Sequence, residues 1–216
     1  MEIKRFVLGS YENNSYVLRS NDQAKECLII DTGLEVDELL EYLGSEKLSP
    51  AALVFTHGHA DHTRGVGELK ERYPEMKVCV HKYDAQMLGD SILNMSAWAG
   101  MDFETGPADV VIEGEGMIEY AGIKLDVFLV PGHTEGSICL YSKADNAVFV
   151  GDVLFAGSIG RTDFPGFNPQ EKHEQLIEGI KKRLLILPGE TAVYPGHGMR
   201  TTIAREKRYN PFLQKV

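Results

Sequence analysis

Four times along these 216 residues an apolar, strand-like run ends in a glycine-bearing turn that carries histidine or aspartate. Run 51–55 leads into Thr56-His57-Gly58-His59-Ala60-Asp61-His62, and run 123–130 into Pro131-Gly132-His133-Thr134. Run 147–150 leads into Gly151-Asp152, and run 192–194 into Pro195-Gly196-His197-Gly198. In layered α/β architectures ligands bind at the carboxyl ends of strands. Side chains far apart in sequence are therefore expected to meet at one rim.

Apolar β-rich runs at 3–8, 15–18, 28–30, 78–80 and 138–141 add further strands. Helical patterns occupy 36–43, 64–72, 83–88, 171–185 and a short stretch after Met199. Thr32-Gly33 and Gly44-Ser45 punctuate the first of these, and Pro188-Gly189 stops the fourth. The mixture predicts an α/β protein, sheets covered by helices, not a bundle or an all-β sandwich. No Pro/Gly/Ser-rich linker or repeat divides residues 1–216, so one domain with a sizeable core is expected. Segment 89–107 carries Met95, Trp98, Met101 and Phe103 without a period. It reads either as a loop over a pocket or as an insertion capping the core.

Composition narrows the partners. With 43% hydrophobic and 25% charged residues, the chain is neither disordered nor fibrous. Its 22 Lys and Arg against 32 Asp and Glu leave a net charge of −10, which argues against nucleic acid or an anionic membrane. No apolar run approaches the ~18 residues of a membrane span. The start, Met1-Glu2-Ile3-Lys4-Arg5, lacks a signal-peptide core, so the cytoplasm is expected. Cys27, Cys79 and Cys139 are widely spaced in strand-like runs and read as buried thiols of a reducing compartment.

Taken singly, a Pro-Gly-His is ordinarily a turn and a Gly-Asp more often a cap than a ligand. Four ligating side chains between His57 and His62, however, have no packing purpose. Imidazole and carboxylate suit Zn²⁺, Fe or Mn. His57 and His59 can point to one side, while Asp61 and His62 address a second ion roughly 3.5–4 Å away. The two oxygens of Asp152 can bridge. His81 and His173, without glycine turns, are expected to be surface or structural.

At His57-Gly58-His59-Ala60-Asp61-His62, His133, Asp152 and His197 the chain resembles the metallo-β-lactamase superfamily, over nearly its whole length. The resemblance implies a four-layer αββα sandwich of two mixed sheets with a dinuclear site at one edge. It implies His57, His59 and His133 on one metal, Asp61, His62 and His197 on the other, and Asp152 bridging. Zn²⁺ is the leading expectation, with Fe or Mn as alternatives. True zinc β-lactamases often place a cysteine near the position of Asp152, and nucleic-acid-cutting members carry a large extra domain. The stretch from Gly157 to Gly166, with Arg161-Thr162-Asp163-Phe164-Pro165, and the ending Asn210-Pro211-Phe212-Leu213 resemble short bacterial glyoxalase II-like hydrolases of S-acylglutathione thioesters. The full-length enzyme adds a C-terminal helical domain, which is not expected here, and a tyrosine where Asp163 stands.

The expected reaction is attack of a metal-bridging hydroxide on a small-molecule thioester or ester carbonyl, with Asp61 relaying the proton. Arg161 is the candidate for holding a substrate carboxylate, an ion pair with one of the chain's acids being the alternative. Arg200, Arg205, Lys207 and Arg208 read as a solvated helix face. The rival enzymes are a mononuclear iron persulfide dioxygenase, which uses the equivalents of His57, His133 and Asp152, and a lactonase or phosphodiesterase of the same fold. In the dioxygenase, glutamine tends to stand at Pro165 and alanine at Gly196. A non-catalytic metal-binding protein is the rival from another class.

Overall fold

The apolar runs pair into two six-stranded sheets. The computed structural model describes residues 1–214. The first sheet holds β1 (Glu2–Leu8), β2 (Asn13–Arg19), β3 (Glu26–Ile30), β4 (Ser49–Val54), β5 (Lys77–His81) and β6 (Val110–Ile112) in sequential order. Pairing is antiparallel from β1 to β3 and parallel from β3 to β6. The second sheet contains β7 (Gly116–Tyr120), β8 (Ile123–Leu129), β9 (Ile138–Ser142) and β10 (Ala147–Gly151). A two-stranded hairpin, β11 (Leu154–Phe155) with β12 (Ser158–Ile159), interrupts the chain before β13 (Ala192–Pro195) and β14 (Thr201–Thr202) rejoin the second sheet. There β10 and β13 run parallel and the other neighbours antiparallel. Both sheets are therefore mixed, as expected.

Each central strand feeds two cores because its side chains alternate faces. Ile29 and Leu53 pack outward with Leu39, Leu43 and Leu69, which lie on α1 (Asp37–Ser45) and on α3 (Val66–Arg72), the helix after the short α2 (Ala60–Thr63). Their neighbours Leu28, Ile30, Ala52 and Val54 pack inward against Leu125, Leu140 and Phe149 of the second sheet. On its far face Val148 and Val150 meet Leu176 of α4 (Pro169–Gly179) and Ile203 of α5 (Ile203–Tyr209). Helix α4 begins where Asn168 accepts from the backbone N–H of Gln170 and Glu171, with Pro169 in the first turn. It continues as a π-type turn over Ile180–Leu184. A last short helix, α6, spans Pro211–Gln214. Among the described residues no helix is long and apolar enough to cross a membrane.

Five strands escaped the sequence pattern, among them β11, β12 and β14, which are only two residues long. β6 is three residues long, too short to show a period, and β7 is an edge strand with no buried residue. The helical pattern at 83–88 closes as a 3-10 turn over Ala85–Gly89. The three cysteines are free and buried. Burial pushes the thiol pKa of Cys27 up to about 12 and also raises those of Cys79 and Cys139, so none is a ready thiolate.

Candidate metal centre

The four glycine turns close the carboxyl ends of β4, β8, β10 and β13, and their side chains converge. Glycine is needed for that approach. Gly151 has φ +48°, and a Cβ there would lie 2.3 Å from Thr56 Oγ1, on the turn that precedes His57. Nε2 of His133 lies 3.2 Å from Nε2 of His57 and 3.0 Å from Nδ1 of His59. Beside this trio, Oδ2 of Asp61 sits 3.1 Å from Nε2 of His197 and 3.7 Å from Nε2 of His62. Asp152 reaches both sets: Oδ1 is 3.3 Å from His62 Nε2, and Oδ2 is 3.6 Å from His197 Nε2 and 3.8 Å from His133 Nε2. All seven side chains singled out in the sequence thus meet at one rim.

The far side of most rings is fixed by a second partner. His62 donates Nδ1–H to Asp31 Oδ2 at 2.9 Å, His133 donates to the carbonyl of Arg161 at 3.0 Å, and His197 to that of Tyr11 at 2.9 Å. His57 Nδ1 faces Thr56 Oγ1 at 3.2 Å, and that hydroxyl donates to Asp31 Oδ2 at 2.7 Å. A neutral ring whose Nδ1 carries the proton presents an Nε2 lone pair to the centre. Asp31, at φ +55°, also accepts from the backbone N–H of Thr56 at 2.7 Å. One carboxylate thereby orients residues of both donor sets.

Electrostatics separate the sets. Burial pushes the pKa of His57 and His59 well below the ordinary imidazole range, and that of His133 below it, so these rings stay neutral. Burial opposes charge on His62 too, but Asp152, Asp61 and Asp31 outweigh it and raise its pKa well above that range. His197 is raised against burial by its hydrogen bond to Asp61 and by Asp152. Burial likewise opposes ionisation of Asp61 and Asp152, yet His62 and its neighbours hold both carboxyls below the usual range. The three carboxylates around His62 therefore favour positive charge there, whether a proton on the ring or a cation in its place.

The donors fit divalent ions. Three groups, His57–His59–His133, His57–His62–Asp152 and Asp61–His62–His197, each bring one ligand atom per residue within 4.8 Å of the others. Buried His62 Nε2 and Asp152 Oδ1 face each other at 3.3 Å without a well-formed hydrogen bond to any group, although an unsatisfied buried polar atom is costly. Nitrogen and carboxylate oxygen in this number suit Zn²⁺, Fe or Mn.

The centre floors a cavity of about 540 Å³. Arg161 stands on its rim, half-stacked on the Phe164 ring (4.7 Å) and paired with Asp163 at 2.8 Å, so the ion pair and the rim position coexist. Segment 89–107 is a pocket wall: Met95 and Trp98 line the cavity, and the Asn94 carbonyl accepts from the N–H of Ala60 at 2.8 Å. His81, the last residue of β5, is buried, and His173 lies on α4; Arg205, Lys207 and Arg208 are exposed on α5 as expected, whereas exposed Arg200 precedes β14 and is not on a helix. Sequence reasoning missed Asp31 and Asp84. Asp84 accepts from Gly58 N–H at 3.0 Å, Gly136 N–H at 2.7 Å and Thr134 Oγ1 at 2.7 Å, tying the His57–His62 turn to the His133 turn.

With this sandwich and this rim of donors, the chain belongs to the metallo-β-lactamase superfamily, whose family model matches residues 8–197. The Bacillus subtilis protein named probable metallo-hydrolase YqgX is 38% identical over 99% of this chain and 98% of its own length. Hydroxyacylglutathione hydrolase GloC of Haemophilus influenzae is 34% identical over 99% and 98%. Among solved structures, BLEG-1, described as a B3 metallo-β-lactamase, is 36% identical with a TM-score of 0.91, over 98% of this chain and 99% of that one. TTHA1623, solved in a di-iron-bound form, is 36% identical with a TM-score of 0.82, over 97% and 100%. ETHE1 from Myxococcus xanthus is 29% identical at a TM-score of 0.79, over 100% and 86%.

Proposed function

We propose that this chain is a dinuclear metal-dependent hydrolase of small-molecule thioesters of the S-acylglutathione type. One observation carries the reading: a second donor cluster, Asp61, His62 and His197, stands beside the three-histidine cluster with Asp152 in reach of both. In this reading His57, His59 and His133 would hold one divalent ion and Asp61, His62 and His197 the other, with Asp152 within reach of both sets. Zn²⁺ is the leading candidate, with Fe and Mn as alternatives. Bound there, two ions supply a water of lowered pKa and polarise the substrate carbonyl.

The chain's own groups do the rest. Asp61 Oδ2 takes up the proton that the attacking water loses and, as the carbon–sulfur bond breaks, releases it to the departing sulfur or to solvent. A thiolate leaves with little acid assistance, since a free thiol has a pKa near ~8.5. Arg161, at the rim, holds a carboxylate of the thiol carrier, with Asp163 tempering its charge. Phe155, Ile159, Phe164 and Trp98 exclude water around the carbonyl. The name of the Haemophilus relative supports the thioester assignment.

Gly196 favours two ions over the single iron of a persulfide dioxygenase. A Cβ at 196 would lie 2.3 Å from Asp152 Oδ1 and 2.6 Å from His62 Cε1, so glycine keeps the second cluster intact. The test is release of free thiol from S-lactoylglutathione with added Zn²⁺, run beside a chromogenic β-lactam and an oxygen electrode. Thiol release without oxygen uptake is the expected result. Oxygen uptake with a glutathione persulfide, or cleavage of the β-lactam alone, would overturn it.

A further inference from the structure

A second cavity, about 230 Å³, adjoins the metal cavity, and His59, Met95, Trp98 and Phe164 line both. Tyr83, Met87, Ile92 and Leu93 wall it on one side, and Pro165 and Phe167 on the other. Its polar side chains are mostly committed elsewhere: Asp84 to Gly58, Gly136 and Thr134, and Glu135 to Lys172. Exposed Gln86 has no such partner. Tyr83, Ile92, Leu93, Trp98 and Phe167 are all exposed and line this one cavity, and a contiguous apolar patch of this kind marks a ligand groove.

We propose that this chamber is the acyl pocket, so that among S-acylglutathione thioesters those of apolar medium-chain or aryl acyl groups are turned over in preference to those of small hydroxyacyl groups such as lactoyl. The inference rests on the thioester reading above and names its substrate class. With the carbonyl over the donor rim, an acyl chain runs past His59 and Phe164 into the chamber, and the thiol carrier faces Arg161. The lining is mostly apolar, with Gln86 and the Tyr83 hydroxyl at its exposed edge, so each methylene buried there leaves water. Full burial of one methylene is worth up to about fourfold in affinity.

The test is kcat/KM of the metal-loaded enzyme on acetyl-, butanoyl-, hexanoyl- and octanoylglutathione. A rise of about thirtyfold or more from butanoyl to octanoyl, carried mainly by KM, is expected. Leu93→Asp, at a position 40% exposed and therefore tolerant of charge, should collapse that ratio, while Ile186→Asp, exposed and outside the cavity, should leave it unchanged. A binding readout runs in parallel, because Trp98 is the sole tryptophan. S-octylglutathione, which cannot be hydrolysed, should shift its fluorescence saturably and far more tightly than S-ethylglutathione. Thioester cleavage with a flat chain-length series and no octyl preference would overturn the acyl pocket alone. If no thioester is cleaved, the hydrolase reading falls, and the Trp98 titration decides the chamber by itself.

Discussion

The three-histidine cluster and its carboxylate-bearing neighbour share a rim but solve different problems. His57, His59 and His133 are 1%, 7% and 2% exposed, and burial keeps all three neutral. Their lone pairs are aimed before any ion arrives. Around His62 the same burial is overridden by three carboxylates, and the side chains of Asp61 and His197 are 20% and 26% exposed. Here charge, more than burial, prepares the place for a cation. The comparison teaches that the first cluster is a rigid nitrogen cage and the second an electrostatic one open to the cavity. The second should release its ion first.

The largest effect expected comes from erasing the link between them. Asp152→Ala should empty both clusters and lower thioester hydrolysis at least about a thousandfold, read by metal content and thiol release together. His197→Ala breaks the comparison asymmetrically. It should remove about one metal per chain while the histidine cage stays loaded, with activity down about 10²–10³-fold. Asp31→Asn leaves every ligand in place but weakens the carboxylate that orients His62 and Thr56. Metal affinity should fall about 10–100-fold, more at the second cluster, in a competition titration against a chromogenic chelator.

The smallest effect concerns the tie between turns. Asp84→Asn puts an amide where three donors converge, and should cost about 1–3 kcal/mol of stability in denaturant unfolding. Burial raises the Asp84 pKa from 3.8 to about 6, against its three hydrogen bonds. Between those values the native state binds more protons than the unfolded chain, so its contribution to stability falls as pH rises from about 4 to about 6. The wild-type slope of stability against pH in that window should be more negative than that of Asp84→Asn.

Much of this was legible in the sequence because the ligands obey a local rule: strand, glycine turn, donor. His57, His133, Asp152 and His197 each follow an apolar run, and each lies in the rim. Asp31 obeys the same rule at the end of β3, but Thr32-Gly33 also reads as helix punctuation, and that reading hides it. Asp84 has no local signature. Its partners, Gly58, Thr134 and Gly136, come together only when β5 and the turn after β8 are already placed. The apolar side chamber was hidden for the same reason, since its walls come from segments 83–98 and 164–167. Segment 89–107 had two readings, and the cavity wall is the one the fold selects.

The most direct test of the central claim is the metal content of the purified, fully active protein, measured per chain. About two divalent ions per chain, falling to one in His197→Ala with the loss of thioesterase activity, is the result expected of two coupled clusters. A single iron per chain, unchanged in His197→Ala and accompanied by oxygen uptake instead of thiol release, would contradict it.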